Sequence, residues 1–363
     1  MKVQVTQNNL FQALSTVSRV ADSRGTLPVL ANILIKITKD LFTVSATNLD
    51  IGITKHVGAK IDQPGSITVP ANLITNFVSN LPSGIIDLEL EDKKLKISTD
   101  QHNCVINGIS AEEFPIIPRI EKGKTIKISA KNFKNAVQEV LFAASTNESR
   151  PVLTGVLIHT IDQKLYMVAT DSSRLSEVMV CESKQDIKIL VPATAMNDLL
   201  KVIDDSLTDI TITEDSQQAL FNFKETELIS RLLENNYPDY KNLIPTKFEH
   251  KAKLKRADLL NIVKISSLFA KETAGSLTIE LDEAEKQVRI RSLASQVGEN
   301  SAIADGTIKG TGEITLNSKF LIDAINSFDS EDIEFNFNSK IEPVLLKSPK
   351  NDDYVHIIMP LKA

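Results

Sequence analysis

The sequence predicts an α+β protein built from three copies of one unit, each with two helices packed on antiparallel sheet. Three observations predict it. Two separate sequence blocks each recur three times at one spacing, every block runs from a short alternating strand into a helical stripe, and alternating runs joined by polar turns follow the second block.

The first block reads VQVTQNNLFQALSTVSRVA from Val3, IKISAKNFKNAVQEVLFAA from Ile126 and AKLKRADLLNIVKISSLFA from Ala252, at intervals of 123 and 126 residues. Val3 and Val5 alternate with polar residues, and Leu10, Ala13, Leu14 and Val17 then recur at the i, i+3, i+4, i+7 spacing of one helical face. The second block reads ITVPANLITNFVSNL from Ile67, ILVPATAMNDLLKVI from Ile189 and ITLNSKFLIDAINSF from Ile314, at intervals of 122 and 125. Pro70 starts its first helix, where a missing N–H is harmless, Leu73, Ile74, Phe77 and Val78 form the stripe, and Pro82 with Gly84 ends it.

Paired short runs follow each second helix: 85–90 with 95–99, 210–213 with 219–223, and 333–337 leading through NSK into a last run. Their polar connections predict antiparallel hairpins and about eight short strands per unit. The chain's 363 residues exceed the roughly 250–300 at which one core stops growing. Domains 1–120, 121–247 and 248–363 follow from the repeat. Sheets of this kind expose edges, which a repeated unit can cover by pairing with the next copy, and the two ends of a chain by meeting another chain.

Hydrophobic residues at 42% and charged residues at 24% supply several cores and give no bias toward disorder. The opening MKVQVTQNNLFQAL lacks a signal peptide's apolar region, and no run approaches the roughly 18 apolar residues of a membrane span. A cytoplasmic protein without membrane contact is the expectation. Cys104 and Cys181 form no C-x-x-C pair, so free thiols are expected. A net charge of −6 argues against gripping nucleic acid by broad charge neutralisation, so any role on DNA must use local charge or topology.

No catalytic or metal motif is present. A G-x-x-x-x-G-K-[ST] loop is absent, GTG at 310–312 lacks a dinucleotide fingerprint's setting, and His56, His102, His159, His250 and His356 are scattered without metal-ligand spacing. No cofactor is expected. Asp171 of ATDSSR is the most tempting carboxylate, but its counterpart in the first unit is Asn48 of ATNLD, which points to a repeated turn.

At this point TLPVLANILI (26–35), VATDSSRLS (168–176), NYPDYKNLIP (236–245) and the terminal IIMPLKA carry a resemblance across the whole chain. They resemble, in the same order and with the same threefold repeat, segments of the bacterial DNA polymerase III beta subunit family, the sliding clamps. The resemblance implies three DNA-clamp domains per chain and two chains closing a head-to-tail ring around double-stranded DNA without sequence preference. It implies a non-catalytic processivity factor for DNA replication. Its partners would be the polymerase III alpha subunit, the clamp loader, other polymerases and repair factors, all using one peptide-binding pocket between the second and third domains.

Carried over by matching position, that pocket uses Leu153, Thr170, Arg174, Leu175, Pro238 and Leu243, with Asn317, Phe320, Ile341, Pro343, Ile358, Met359, Pro360 and Leu361 as its other half. An apolar cluster on a surface suits a partner site, and a methionine suits one that serves many partners. Arg24, Asn147 and Arg150 are the implied DNA contacts. Cys104 and Ile106 of one chain are set against Leu268 and Phe269 of the other.

Candidate basic elements are uneven: KAKLKR at 251–256 with Lys264, Lys131 and Lys134, Lys201, and Lys319. Relatives often place basic residues after the VPA-type turn, where this chain has Asn72 and Thr194, so weaker DNA contact is implied there. Two other readings stay open from sequence: a hydrolase using Asp171 and a histidine, and a protein-binding scaffold that never encircles DNA.

Overall fold

The structure is a computed structural model that describes residues 1–21, 27–234, 236–294 and 298–361. Along the first third run β1 (Lys2–Thr6), α1 (Gln7–Val17), β2 (Asn32–Ile37), β3 (Phe42–Thr47), β4 (Ile51–His56), β5 (Lys60–Gln63), β6 (Gly65–Pro70), α2 (Ala71–Ser79), β7 (Ile85–Glu91), β8 (Lys94–Ser98) and β9 (Asn103–Asn107). The middle third carries β10 (Lys124–Ser129), α3 (Ala130–Val140), β11 (Gly155–Ile161), β12 (Lys164–Thr170), β13 (Arg174–Glu182), β14 (Lys188–Pro192), α4 (Ala193–Val202), β15 (Asp209–Glu214), β16 (Gln218–Phe223) and β17 (Thr226–Arg231). In the last third are β18 (His250–Lys255), α5 (Arg256–Ser267), β19 (Ser276–Asp282), β20 (Gln287–Ala294), β21 (Gly298–Lys309), β22 (Gly312–Asn317), α6 (Ser318–Ser327), β23 (Asp332–Phe337), β24 (Val344–Ser348) and β25 (Asn351–Ile358). One order thus recurs three times among the described residues: strand, helix, four strands, helix, three strands, with β5 added in the first copy.

The local reasons are those read from the sequence. Thr6 ends β1 and caps α1, its Oγ1 accepting from the Asn9 N–H at 3.3 Å. The buried residues of α1 are Leu10, Ala13, Leu14 and Val17, the expected stripe. Leu10 and Leu14 are fully buried, each contributing about 1.5–3 kcal/mol. In α2 the buried face is Ala71, Ile74 and Val78, while Leu73 is exposed. An i, i+3, i+7 row centred on Ile74 leaves Leu73 on its flank, so the expected stripe is corrected there. The β7–β8 hairpin closes tighter than expected, Glu91 pairing with Lys94 around a two-residue turn in which Asp92 has φ 52°.

The chain divides into two compact units. Met1–Lys131 with Thr194–Leu232 forms the first, holding a five-stranded sheet, β5-β1-β7-β8-β9, and an eight-stranded sheet, β10-β15-β16-β17-β4-β3-β2-β6. Asn132–Ala193 with Leu233–Ala363 forms the second, holding one twelve-stranded sheet, β14-β11-β12-β13-β25-β24-β23-β18-β21-β20-β19-β22. These units cut through the middle repeat, because an edge strand pairs with its neighbour's last strand: β4 with β17 in the first unit and β13 with β25 in the second. No helix among the described residues is long and apolar enough to cross a membrane.

Candidate functional site

The site is organised by Arg174, the first residue of β13, which is only 8% exposed. Its Nε donates to Asp171 Oδ2 at 3.0 Å, Nη1 to Asp323 Oδ2 at 2.7 Å and Nη2 to the Phe142 carbonyl at 2.6 Å. The guanidinium also lies 4.6 Å from the Phe320 ring centroid and 5.5 Å from that of Phe142. A planar cation held from three directions and stacked between two rings is rigid, which suits a wall against which a ligand packs.

The turn before β13 is what places it. Asp171 Oδ1 accepts from the Ser173 and Arg174 N–H groups at 2.9 and 3.0 Å, and Thr170 Oγ1 donates to the Arg174 carbonyl at 2.6 Å. Asn48 does the same in the first repeat, accepting from Asp50 and Ile51 at 3.1 and 2.8 Å. Asp171 is therefore a turn residue and an anchor for Arg174, and the hydrolase reading loses its carboxylate.

Strand pairing brings several of the expected residues to Arg174. Ile358 of β25 lies opposite it, Val344 pairs with Ile358, and so Pro343, one residue before β24, is carried in. Beyond β25, the Met359 N–H donates to the Ser173 carbonyl at 2.8 Å and the Leu361 N–H to the Thr315 carbonyl at 2.9 Å, which ties the C-terminal segment down on both sides. Leu175 packs in a core with Leu157, Val168, Leu190, Tyr237, Tyr240 and Ile357.

The predicted residues separate by exposure. Leu243 is 52% exposed, Met359 38% and Ile341 79%, with Pro238 also exposed, so these present apolar side chains to solvent. Phe320, Pro343, Pro360 and Leu361 are half-buried. Leu153, Thr170, Leu175 and Ile358 are buried. Asn317 holds the start of α6: its Oδ1 accepts from the Lys319 and Phe320 N–H groups at 2.9 and 3.3 Å, and its Nδ2 donates to Ala274 O at 3.0 Å.

Sequence reading missed Phe142, Asp171 as an anchor, and Asp323. It also missed a buried chain behind Leu243, in which His159 Nε2 meets Tyr240 Oη at 2.8 Å, Tyr240 Oη donates to Glu177 Oε2 at 2.5 Å, and Lys241 Nζ pairs with the same oxygen at 2.6 Å. Burial, with Lys241 and Lys188 adding to it, pushes the His159 imidazole down to about 4, so this chain uses a neutral ring. His356 is fully buried, stacked on Phe142 with centroids 5.4 Å apart, and pushed down to about 3 by burial and then by Arg174. Partner identity at i, i+3 was legible for Asp171; the others lie far along the chain.

The implied DNA contacts differ in standing. Arg24 lies outside the described residues. Asn147 and Arg150 are exposed on one loop, where Asn147 Oδ1 accepts from Ser149 N at 2.9 Å and Arg150 Nη1 donates to Ser172 Oγ at 3.2 Å. Part of the basic inventory is neutralised: Lys253 and Lys255 pair with Asp332, Lys255 also with Glu331, and Lys201 with Asp198.

Of the two strand positions that pair at the β4–β17 and β13–β25 junctions, one copy of each stands open. β9 ends the five-stranded sheet, and β21 from Gly298 to Asp305 pairs only with β20 among the described strands. Cys104 is half-buried, and Ile106, 2% exposed, packs inside its own unit. The Ile106 side chain is thus covered within its own unit, while its backbone lies on the edge strand β9. Leu268 is 61% exposed and Phe269 half-buried, just after α5.

The DNA polymerase III beta subunit family matches this chain with its N-terminal domain over residues 1–118, its central domain over 127–239 and its C-terminal domain over 241–362. The beta sliding clamp of Bacillus subtilis (strain 168) is 30% identical over 382 residues, covering 100% of both chains. The crystal structure of the Bacillus subtilis DNA polymerase sliding clamp superposes with a TM-score of 0.96 at 27% identity, covering 100% of this chain and 99% of that one. A DNA polymerase III beta chain from Streptococcus pneumoniae gives 0.95 at 28%, covering 100% of both.

Proposed function

We propose, from the premise that this chain belongs to the DNA polymerase III beta subunit family, that it works as a sliding clamp: two copies close head to tail around duplex DNA and hold polymerases to it. The observation that carries this is the pair of open edges. Each repeat offers one edge in its fourth strand and another in its last. Two such pairings are made inside the chain, β4 with β17 and β13 with β25, leaving β21 and β9 for a second copy. A head-to-tail pair uses both of these edges of both chains, so the same strand pairing recurs at every junction between repeats and the assembly closes.

On this reading the sequence repeats 1–120, 121–247 and 248–363 are the three clamp domains, and the protein catalyses nothing and needs no cofactor. It would work in the cytoplasm, where replication proceeds. The net charge of −6 fits retention by topology. Every phosphate neutralised releases counterions and tightens binding, so a strongly basic lining would hold the ring in place against sliding. Asn147 and Arg150 are the DNA contacts we assign among the described residues.

The Arg174 site is the partner pocket. Leu243, Met359, Phe320, Pro343 and Ile341 supply apolar contact around a rigid cation, and the polymerase III alpha subunit, the clamp loader and repair factors would each insert a short peptide there. The test is topological. The protein is loaded by its loader onto nicked circular DNA, which is then cut once. A ring escapes from the free ends, whereas retention on the linear DNA would show side-on binding and refute encirclement.

A further inference from the structure

The repeats can be laid on one another through their strand ladders. In the first repeat Val3 pairs with Leu88, Leu88 with Ile97 and Ile97 with Cys104. Ile126, Ile212, Phe221 and Leu228 make the same ladder in the second, and Ala252, Phe335, Leu346 and His356 in the third. Cys104, Leu228 and His356 are therefore one position. A second ladder starts from Thr68, Leu190 and Thr315 of the repeated helix-entry strand and crosses each sheet to Thr54, Glu177 and Ser301, so the residues just before these, Ile53, Ser176 and Asn300, are also one position.

These two positions face each other at both junctions the chain makes for itself. Ile53 lies opposite Leu228, and Ser176 lies opposite His356, all four fully buried. The remaining members of the two sets are Cys104, on the open edge of β9, and Asn300, on the open edge of β21.

We propose that the strands of the closing seam pair antiparallel with Cys104 of one copy opposite Asn300 of the other, and that Asn300 sets this register. The proposal rests on the head-to-tail reading above and adds to it a residue-by-residue alignment. It also places Ser301 opposite Asn103 and Glu299 opposite Val105.

Three features support it. Phe142, of LFA at 141–143, stacks on His356 at 5.4 Å, and the matching LFA at 268–270 puts Phe269 over Cys104 of the second copy. Three residues before Phe142, the Glu139 carbonyl accepts from Ser176 Oγ at 2.5 Å. Three residues before Phe269, Ser266 Oγ donates to Asn300 Oδ1 at 2.9 Å, so the same position of the repeat meets the seam residue in both, through its carbonyl in one and its side chain in the other.

That bond fixes the Asn300 amide with its Nδ2 donor unmatched among the described residues, and Ser292, its pair on β20, carries a buried Oγ with no partner. An amide in a strand interface prefers the alignment that gives it an acceptor. A slip of two residues toward Ile106 would set it against a buried aliphatic chain. Single buried asparagines fix register between helices by the same penalty.

The test uses the full-length protein with Cys181→Ser, which leaves Cys104 as its single thiol. Opposed residues of an antiparallel pair stand about 4.5–5.5 Å apart at Cα, within the roughly 4.4–6.8 Å a disulfide spans. Asn300→Cys is expected to yield mostly covalent dimer on mild oxidation, and Ser301→Cys and Ala302→Cys little. Should Asn300→Cys fail to associate, Glu299→Cys with Val105→Cys in a Cys104→Ser background tests the same register with Asn300 intact. Asn300→Ala is expected to weaken dimerisation about a hundredfold, one lost hydrogen bond and about tenfold at each of the ring's two seams. Preferential cross-linking through Ala302→Cys in a protein that sediments as a dimer would overturn the register alone. Unchanged affinity in Asn300→Ala would remove that residue's role, and a parent protein that sediments only as monomer would overturn the head-to-tail reading itself.

Discussion

Arg174 Nη1 donates to Asp323 Oδ2 at 2.7 Å, an ion pair that ties β13 to α6 across 149 residues of chain. The arginine's side chain is 9% exposed and the aspartate's 30%, so the pair is shielded on one side and wet on the other. Its other hydrogen bonds, to Asp171 and the Phe142 carbonyl, leave the guanidinium little freedom.

Arg174→Ala removes a partner from Asp323, Asp171 and a carbonyl at once. Loss of about 2–4 kcal/mol in urea unfolding is expected, since breaking a largely buried pair leaves charge without compensation. Arg174→Lys retains the charge but cannot reach three directions in a plane, so fluorescence polarisation should show peptide binding weakened at least tenfold with smaller loss of stability.

Deleting Met359 to Ala363 takes away an exposed methionine and the Met359–Ser173 and Leu361–Thr315 backbone bonds. Binding of a labelled motif peptide should be abolished while the dimer persists, because the deleted segment belongs to neither β9 nor β21 and three strands separate β25 from β21 in their sheet. An unchanged peptide affinity would show that the pocket lies elsewhere.

Leu268→Asp with Phe269→Asp places two charges where apolar side chains are to be covered by a second copy. Sedimentation should report monomers with a native circular dichroism spectrum. A dimer of parental strength would rule out that contact.

Burial, with Asp329 adding to it, raises the Glu139 carboxyl to about 7 from 4.5. A carboxyl raised by folding binds more protons folded than unfolded, so its charging opposes the fold as pH rises from about 4.5 through 7. Glu139→Gln should therefore stabilise by about 1–3 kcal/mol at pH 8 and change little at pH 4. Equal thermal shifts at both pH values would contradict a charge-based origin.

His356 carries the opposite sign. Its folded value of about 3 lies below the ordinary 6.5, so the unfolded chain takes up the proton first. The stability it contributes is fully present above about pH 6.5 and falls away as pH drops toward 3. Both ring nitrogens lack partners among the described residues, so His356→Leu should melt no lower at pH 7 and should flatten the acid limb of a melting-temperature profile.

Much of the fold was legible because its signals are local. The α1 stripe and the Thr6 cap lie within one turn of each other, and the Asn48 and Asp171 turns repeat a short pattern that betrays its role. Leu73 shows the limit, since a nine-residue helix can place a flanking leucine in solvent without breaking its period. The site was legible only by resemblance. Position alone could not separate Met359, which offers surface, from Ile358, which forms the core, or reveal that Asn317 is a cap.

By itself the sequence determined the threefold repeat, the order of helices and strands, and the alternation that gives each strand a buried face. Those depend on spacings of two to four residues and on intervals that any reader can count. Only the tertiary structure decided which edges meet, that Arg174 is gripped by Asp323 and Phe142, and that Cys104 and Asn300 occupy the positions left open. Those relations depend on register between strands far apart in the chain, where a slip of one residue exchanges the buried and exposed faces, and no local pattern records it.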